Sequence, residues 1–311
     1  MSYKAIKQRL DNNDIIILDG ATGTELERRG AKMNPASWCG PASLENQGLL
    51  TDIHIDYLSA GSDIITANTF ASSRLMLSGA NFGDKVEEIN RIAIDAALEA
   101  QKKFDDSREV AVAGSLSHML PLIPGTDIVD KKLVPSESAM ADAFHELAEI
   151  QKSSGVDLIL LEMMYNSERI PHALEAALST GLPVWFGMSV RRSNDNKVVC
   201  FDRHEDLALD TILSLIPSDK IDVVGVMHSP SDVISDALQK IKKYFDGPLS
   251  AYPDSGYFES PNWNFNDIIE PHRLEDFFLD WFTNGARVLG GCCGLGVDHI
   301  KAAVSARDRF C

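Results

Sequence analysis

Short apolar runs recur along the chain, each closing on small or polar residues. They are Ile15–Gly20, Asp63–Phe70, Val110–Leu116, Leu158–Met164, Pro183–Val190, Asp222–His228, Pro248–Asp254 and Arg287–Cys293. Several are nearly continuous in Val, Ile and Leu, as strands of a parallel sheet covered by helices would be. Between them the apolar period becomes helical. In 85–103, Val86, Ile89, Ala93, Ala96, Ala97 and Ala100 form one stripe, with Lys85, Glu87 and Glu88 off it. Segment 137–150 repeats the pattern with Met140, Phe144, Leu147 and Ile150, and 231–245 with Val233, Ile234, Leu238, Ile241 and Phe245. Ser136 and Ser231 stand where helix N-caps are expected. A further helix is predicted from about Leu44 to Ala60, with Gly61 ending it.

Eight strand–helix alternations with no break in composition predict a single (β/α)8 TIM barrel over residues 1–311, in preference to a doubly wound sheet. Two connections, roughly 117–135 and 255–273, are longer than a barrel requires. Loops of that length often serve as lids or binding loops.

Composition narrows the class. Of 311 residues, 44% are apolar, and the net charge is -17 from 29 Lys and Arg against 46 Asp and Glu. A chain so acidic lacks the basic face that a nucleic-acid or anionic-membrane partner needs. Neither a signal-peptide core nor an apolar stretch of membrane-spanning length is present. Five cysteines, two of them adjacent, make a poor disulfide framework and fit a reducing compartment, so a cytoplasmic location is expected.

A barrel carries its chemistry at the C-terminal ends of its strands. There stand Asp19-Gly20, Asn68-Thr69, Ser115 with Ser117 and His118, Glu162, His228, Asp254 and Cys292-Cys293. Asp19 and Glu162 interrupt otherwise apolar strands, where an unpaired carboxylate is costly to bury. They read either as a pair binding a cationic group, such as an amino-acid ammonium, or as structural acceptors for loop backbone. Cys292 and Cys293, flanked by glycines, could turn two thiolates toward one soft metal, although buried cysteines are often merely small apolar residues. With His228 they would supply three ligands and leave one position of a tetrahedral zinc open. Cys39, Cys200 and Cys311 have no comparable context, and His145, His172 and His299 fall on helical segments as expected surface residues. Gly20-Ala21-Thr22-Gly23 lacks the lysine of a phosphate loop, and no strained nucleophile turn is visible.

At this level of detail the chain resembles the homocysteine S-methyltransferases, which include the betaine-homocysteine enzymes and the homocysteine module of methionine synthase. The resemblance covers nearly the whole length. It rests on ILDGATGTELERRG at 17–30, SDIITANTF at 62–70, LLEMM at 160–164, YPDSG at 252–256 and GARVLGGCCGLGVDHI at 285–300. It implies a (β/α)8 barrel whose zinc holds the homocysteine thiol as a thiolate, which takes a methyl group from a donor in one displacement, giving methionine. It also implies that Asp19 and Glu162 contact the homocysteine amino group, with Gly20 and Asn68 among the substrate-binding positions.

Two departures stand out. Where the family usually ends its sixth strand Gly-Val-Asn-Cys, this chain has Gly225-Val226-Met227-His228, so the expected ligands are His228, Cys292 and Cys293 instead of three cysteines. Where Pro-Asn-Ser-Gly is common, it has Pro253-Asp254-Ser255-Gly256. A neutral imidazole in place of a thiolate leaves the site one unit more positive. A bound thiol should then ionise more readily but be a weaker nucleophile. This leaves open a different thiol acceptor or reaction, or a metal-free ligand-binding homologue. With no cobalamin or folate module, the expected donor is a small onium compound: S-methylmethionine, S-adenosylmethionine, dimethylsulfoniopropionate or a betaine. Tyr257, Phe258, Trp263 and Phe265 could surround such a cation, or fold back as a hydrophobic cap.

Overall fold

The computed structural model describes residues 2–104 and 108–310. Eight strands run parallel: β1 (Ile16–Ile17), β2 (Ile64–Ala67), β3 (Ala111–Ser117), β4 (Leu158–Met164), β5 (Val184–Met188), β6 (Val223–Met227), β7 (Leu249–Tyr252) and β8 (Ala286–Leu289). Each pairs with its neighbour in sequence, and β8 returns to β1 through Ile16↔Val288 and Ile17↔Leu289. The cylinder closes between β1 and β2 at one parallel bridge, Leu18↔Ile64. This is the expected (β/α)8 barrel.

That last seam is short, and side chains reinforce it. The Ile17 backbone N–H donates to Asp63 Oδ2 at 2.8 Å, and the Asp63 N–H donates back to Ile17 O at 2.7 Å. Arg9 pairs with the Asp63 carboxylate from the N-terminal helix, Ser2–Asp11. The apolar periods in the sequence did not predict this helix. Its Ile6 and Leu10 join Ile16, Ile64, Ala111, Leu158, Trp185, Val223 and Val288 in one buried cluster, which closes the floor of the barrel. A larger apolar core lies outside, between strands and helices.

The helices match the sequence periods closely, at Ser43–Ala60, Val86–Lys103, Glu137–Ser154 and Ser231–Ile241. Gly61 follows the first with φ 115°. Ser136 caps as expected, its Oγ accepting the Ala139 N–H at 3.3 Å. Ser231 does not: the helix already includes it, Pro230 takes the N-cap place, and no side chain caps there.

The strands are shorter than the apolar runs that predict them. The polar ends of those runs have left the ladder and stand just beyond it, so Asp19, Asn68, His228, Asp254, Cys292 and Cys293 all lie on the C-terminal rim. Among the described residues, no helix is long and apolar enough to cross a membrane.

Candidate active site and metal centre

One pocket opens at this rim, and Asp19, Gly20, Asn68, Glu162, His228, Cys292 and Cys293 all line it. Its walls are otherwise largely apolar, the usual character of a small-molecule site.

The paired cysteines converge. Cys292 Sγ lies 3.9 Å from Cys293 Sγ and 3.7 Å from His228 Nδ1. Donor atoms of all three residues fall within 4.8 Å of one another, so the cluster could hold a metal ion. Of the glycines around the pair, Gly294 makes the turn, with φ 81° and the Ser255 carbonyl 2.0 Å from where a Cβ would sit. Gly290 serves close packing instead: a Cβ there would meet Leu18 Cβ at 2.8 Å. His228 also adopts positive φ, 43°, uncommon for a non-glycine residue and a local strain that its surroundings must hold.

The loops bearing these donors are laced together. Asp254 donates its backbone N–H to Ser229 O at 3.2 Å, Cys292 donates to Pro253 O at 2.7 Å, and Ser255 donates to Cys293 O at 2.9 Å. The Asp254 carboxylate reaches the histidine, with Oδ2 3.4 Å from Nδ1 and the two side chains only 13% and 12% exposed. The two departures seen in the sequence are therefore neighbours in space. Burial works against a charged His228, yet Asp254 and the Cys292 thiol lift it to about 9. Cys292 lies well above the ordinary thiol range, raised first by its bond to Cys293 and then by burial.

Across the pocket, Asp19 accepts the Thr66 backbone N–H at 2.6 Å and the Thr66 hydroxyl at 2.9 Å. Glu162 accepts the Ser115 hydroxyl. Both carboxylates are buried, 2% and 8% exposed. Burial pushes each up to about 7, and at Asp19 the Glu162 charge adds to the rise. Glu162 stands where β4 loses register with β5, between Leu161 and Met164, and Met163 there has φ 59°. Bulges of this kind redirect side chains beside active sites. The Met163 N–H, 3.0 Å from Met227 Sδ, finds its acceptor in that thioether.

Of the other positions, Ser117 and His299 depart from expectation. Asn68 spends its amide N–H groups on Cys39 O and Ser43 Oγ, at 3.0 and 3.1 Å, leaving its carbonyl oxygen for a ligand. Ser117 donates to Phe70 O at 2.6 Å and does not line the pocket. His299 is buried and not a surface residue: its Nδ1 accepts the Gly296 N–H at 3.2 Å, and its Nε2 reaches Ile269 O at 2.8 Å. Cys39 and Cys200 are buried outside the donor cluster, and Cys311 lies outside the described residues.

The four aromatics weighed for an onium group or a hydrophobic cap divide into two pairs. Phe258 and Trp263, from the hairpin Tyr257–Glu259 and Asn262–Asn264, line the pocket; Tyr257 is exposed, and Phe265 lies under the Arg28 guanidinium. Sequence reasoning missed their partners. Rings from separate loops run in series, His118–Tyr165–Phe201–His228–Trp263–Phe258–Trp38–Phe70, with centroids 4.7 to 6.4 Å apart. His118 Nε2 accepts the Tyr165 N–H at 3.0 Å, which places the neutral ring's proton on Nδ1.

Fold and pocket together define a barrel enzyme whose rim joins two buried carboxylates to a cluster of soft donors. Residues 16–307 match the family model described as homocysteine S-methyltransferase. The chain is 27% identical to a selenocysteine methyltransferase of Astragalus bisulcatus, over 92% of this chain and 90% of the relative. It is 25% identical to the homocysteine S-methyltransferase of Escherichia coli strain K12, over 97% and 98%. The metallated form of the E. coli homocysteine methyltransferase MmuM shares the fold, with a TM-score of 0.77 at 21% identity, covering 98% of this chain and 99% of that one. The chain belongs to the homocysteine S-methyltransferase family, and it is a methyltransferase.

Proposed function

We propose that the chain moves a methyl group from a small onium donor to the thiol of homocysteine, giving methionine, at a zinc site formed by His228, Cys292 and Cys293. The observation that carries this is the convergence of three soft donors in the pocket that also holds Asp19 and Glu162. Two thiols and an imidazole suit zinc, and three protein ligands leave a position for a substrate. Bound there, zinc would supply Lewis acidity, keeping the acceptor sulfur ionised at neutral pH.

The protein's own groups do the rest. Asp19 and Glu162 are held by Thr66 and Ser115 in a buried setting that penalises their charge. An ammonium group relieves that penalty, so the pocket favours an amino-acid cation and points its sulfur away from the carboxylates. The ring series offers π faces to a sulfonium or quaternary ammonium, worth about 0.5 to 2 kcal/mol each. Apolar walls exclude water, which would otherwise solvate the nucleophile. The methyl group then passes in one in-line displacement from the onium centre to the acceptor sulfur.

A second acceptor reading is favoured by the imidazole ligand and by relatives named for selenocysteine. A histidine ligand lowers the basicity of the bound nucleophile relative to three thiolates, and a selenol, already ionised at neutral pH, depends least on metal activation.

Zinc analysis with an acceptor and donor screen tests the proposal. The expected result is about one zinc per chain, with methionine formed from homocysteine and an onium donor. Failure of homocysteine with every such donor, alongside turnover of another thiol or selenol, transfers the assignment to the second reading. Protein that takes up no zinc on titration refutes both.

A further inference from the structure

The Asp254 carboxylate reaches the donor cluster, 3.4 Å from His228 Nδ1, yet it is not among the atoms that converge within 4.8 Å. It therefore touches the histidine without belonging to the ligand set. Its backbone sits in the strap Pro253–Ser255, which hydrogen-bonds the histidine loop at Ser229 and the cysteine loop at both Cys292 and Cys293. The strap fixes where the carboxylate stands relative to both halves of the cluster.

Charge gives this placement a meaning. Two thiolates and a neutral imidazole carry -2; Asp254 brings the total to -3, the charge of three thiolates. Asp254 Oδ2 stands beside Nδ1, the nitrogen that also faces Cys292 Sγ at 3.7 Å; with Nε2 as the ligating nitrogen, a carboxylate there fixes the ring orientation and raises its basicity as a ligand.

We propose that Asp254 is a positioning residue for the metal centre, orienting His228 and supplying the negative charge that an imidazole ligand lacks. This rests on the zinc reading above, and the test separates the two.

Asp254→Asn keeps the shape and the backbone bond to Ser229 while removing the charge. Zinc affinity is measured on the full chain by competition with a chromophoric chelator, in wild type, Asp254→Asn, His228→Cys and the double variant. The visible spectrum of the cobalt-loaded forms reports ligand geometry. We expect Asp254→Asn to weaken zinc binding roughly 10- to 100-fold in the histidine background and to shift the cobalt bands. In the His228→Cys background the same change should cost less than about threefold, because a third thiolate already carries the charge that the carboxylate supplies beside the imidazole. Equal losses in both backgrounds would mean that Asp254 merely braces the loops, and unchanged affinity in the histidine background would remove it from the centre; either result overturns the inference alone. Wild-type protein that binds no zinc would overturn the metal reading and this inference with it.

Discussion

Thr66 holds Asp19 by both of its donors, the backbone N–H on Oδ2 and the hydroxyl on Oδ1. The carboxylate is thereby aimed before a ligand arrives, as effective binding requires. Thr66→Val keeps the strand and the backbone bond but deletes the hydroxyl. A hydrogen bond to a charged group is worth about 1.5 to 3 kcal/mol, so KM for the acceptor should rise roughly 10-fold or more. Zinc content should not change. Calorimetric titration with the acceptor, beside metal analysis, checks both.

The two carboxylates set a pH dependence. Asp19 and Glu162 each titrate near 7 in the free protein, and each must be ionised to pair with an ammonium group. The acceptor's kcat/KM should therefore climb with pH up to about 7, and Asp19→Asn should lower it and simplify the profile. Stability moves the opposite way. The folded pKa values lie above the unfolded ones, so the contribution of these groups is complete below about pH 4 and is lost as pH rises through about 7. Denaturant unfolding of the free protein should show wild type losing stability relative to Asp19→Asn across that window.

The donor cluster makes a sharper demand. If the three donors hold zinc as proposed, Cys292→Ala or His228→Ala would leave two protein ligands and should reduce bound zinc from about one per chain to a small fraction, whereas His228→Cys should retain it. Full zinc affinity in His228→Ala would eliminate the histidine from the ligand set.

Phe258 offers a test of the donor side. Phe258→Leu preserves apolar bulk but removes the ring that touches Trp38 and Trp263. If the rings receive an onium group, KM for the donor should rise by roughly 2- to 30-fold, the equivalent of about 0.5 to 2 kcal/mol, while acceptor binding stays the same. Steady-state kinetics with each substrate varied in turn would separate the two.

Gly294→Ala probes the turn that brings the sulfurs together. A Cβ there meets the Ser255 carbonyl at 2.0 Å on a backbone of φ 81°, so the strap or the cysteine loop must move. We expect a loss of at least about 1 to 3 kcal/mol in stability and weakened metal uptake, read by thermal unfolding and chelator competition.

The barrel and much of its rim were legible in the sequence because buried parallel strands impose continuous apolar runs, and the residues ending those runs must emerge at one face. Asp19, Glu162, His228 and the cysteine pair were found that way. The N-terminal helix was not, since its apolar side is short, with Ile6 and Leu10 buried and Tyr3 half-buried against the same cluster, and a polar surround hides so short a stripe. Trp38, Tyr165 and Phe201 come from irregular segments without any period, and their ring contacts exist only through space. His299 carried the spacing of a surface helix residue, but it lies in the first turn, where its ring reaches back to the Gly296 N–H. The neighbourhood of His228 and Asp254 joins positions 26 residues apart, a relation that linear spacing does not encode.

The joint between β1 and β2 rests on one ladder bridge, and the Asp19–Thr66 bonds cross that same joint one step further along. An acceptor's ammonium group, by holding Asp19 ionised and in place, would therefore also fasten the barrel's last closure. Where this joint opens, β1 and β2 become free edges. Amide exchange at Thr66 should accordingly slow when the acceptor binds, making the completeness of the cylinder a measure of how fully its pocket is filled.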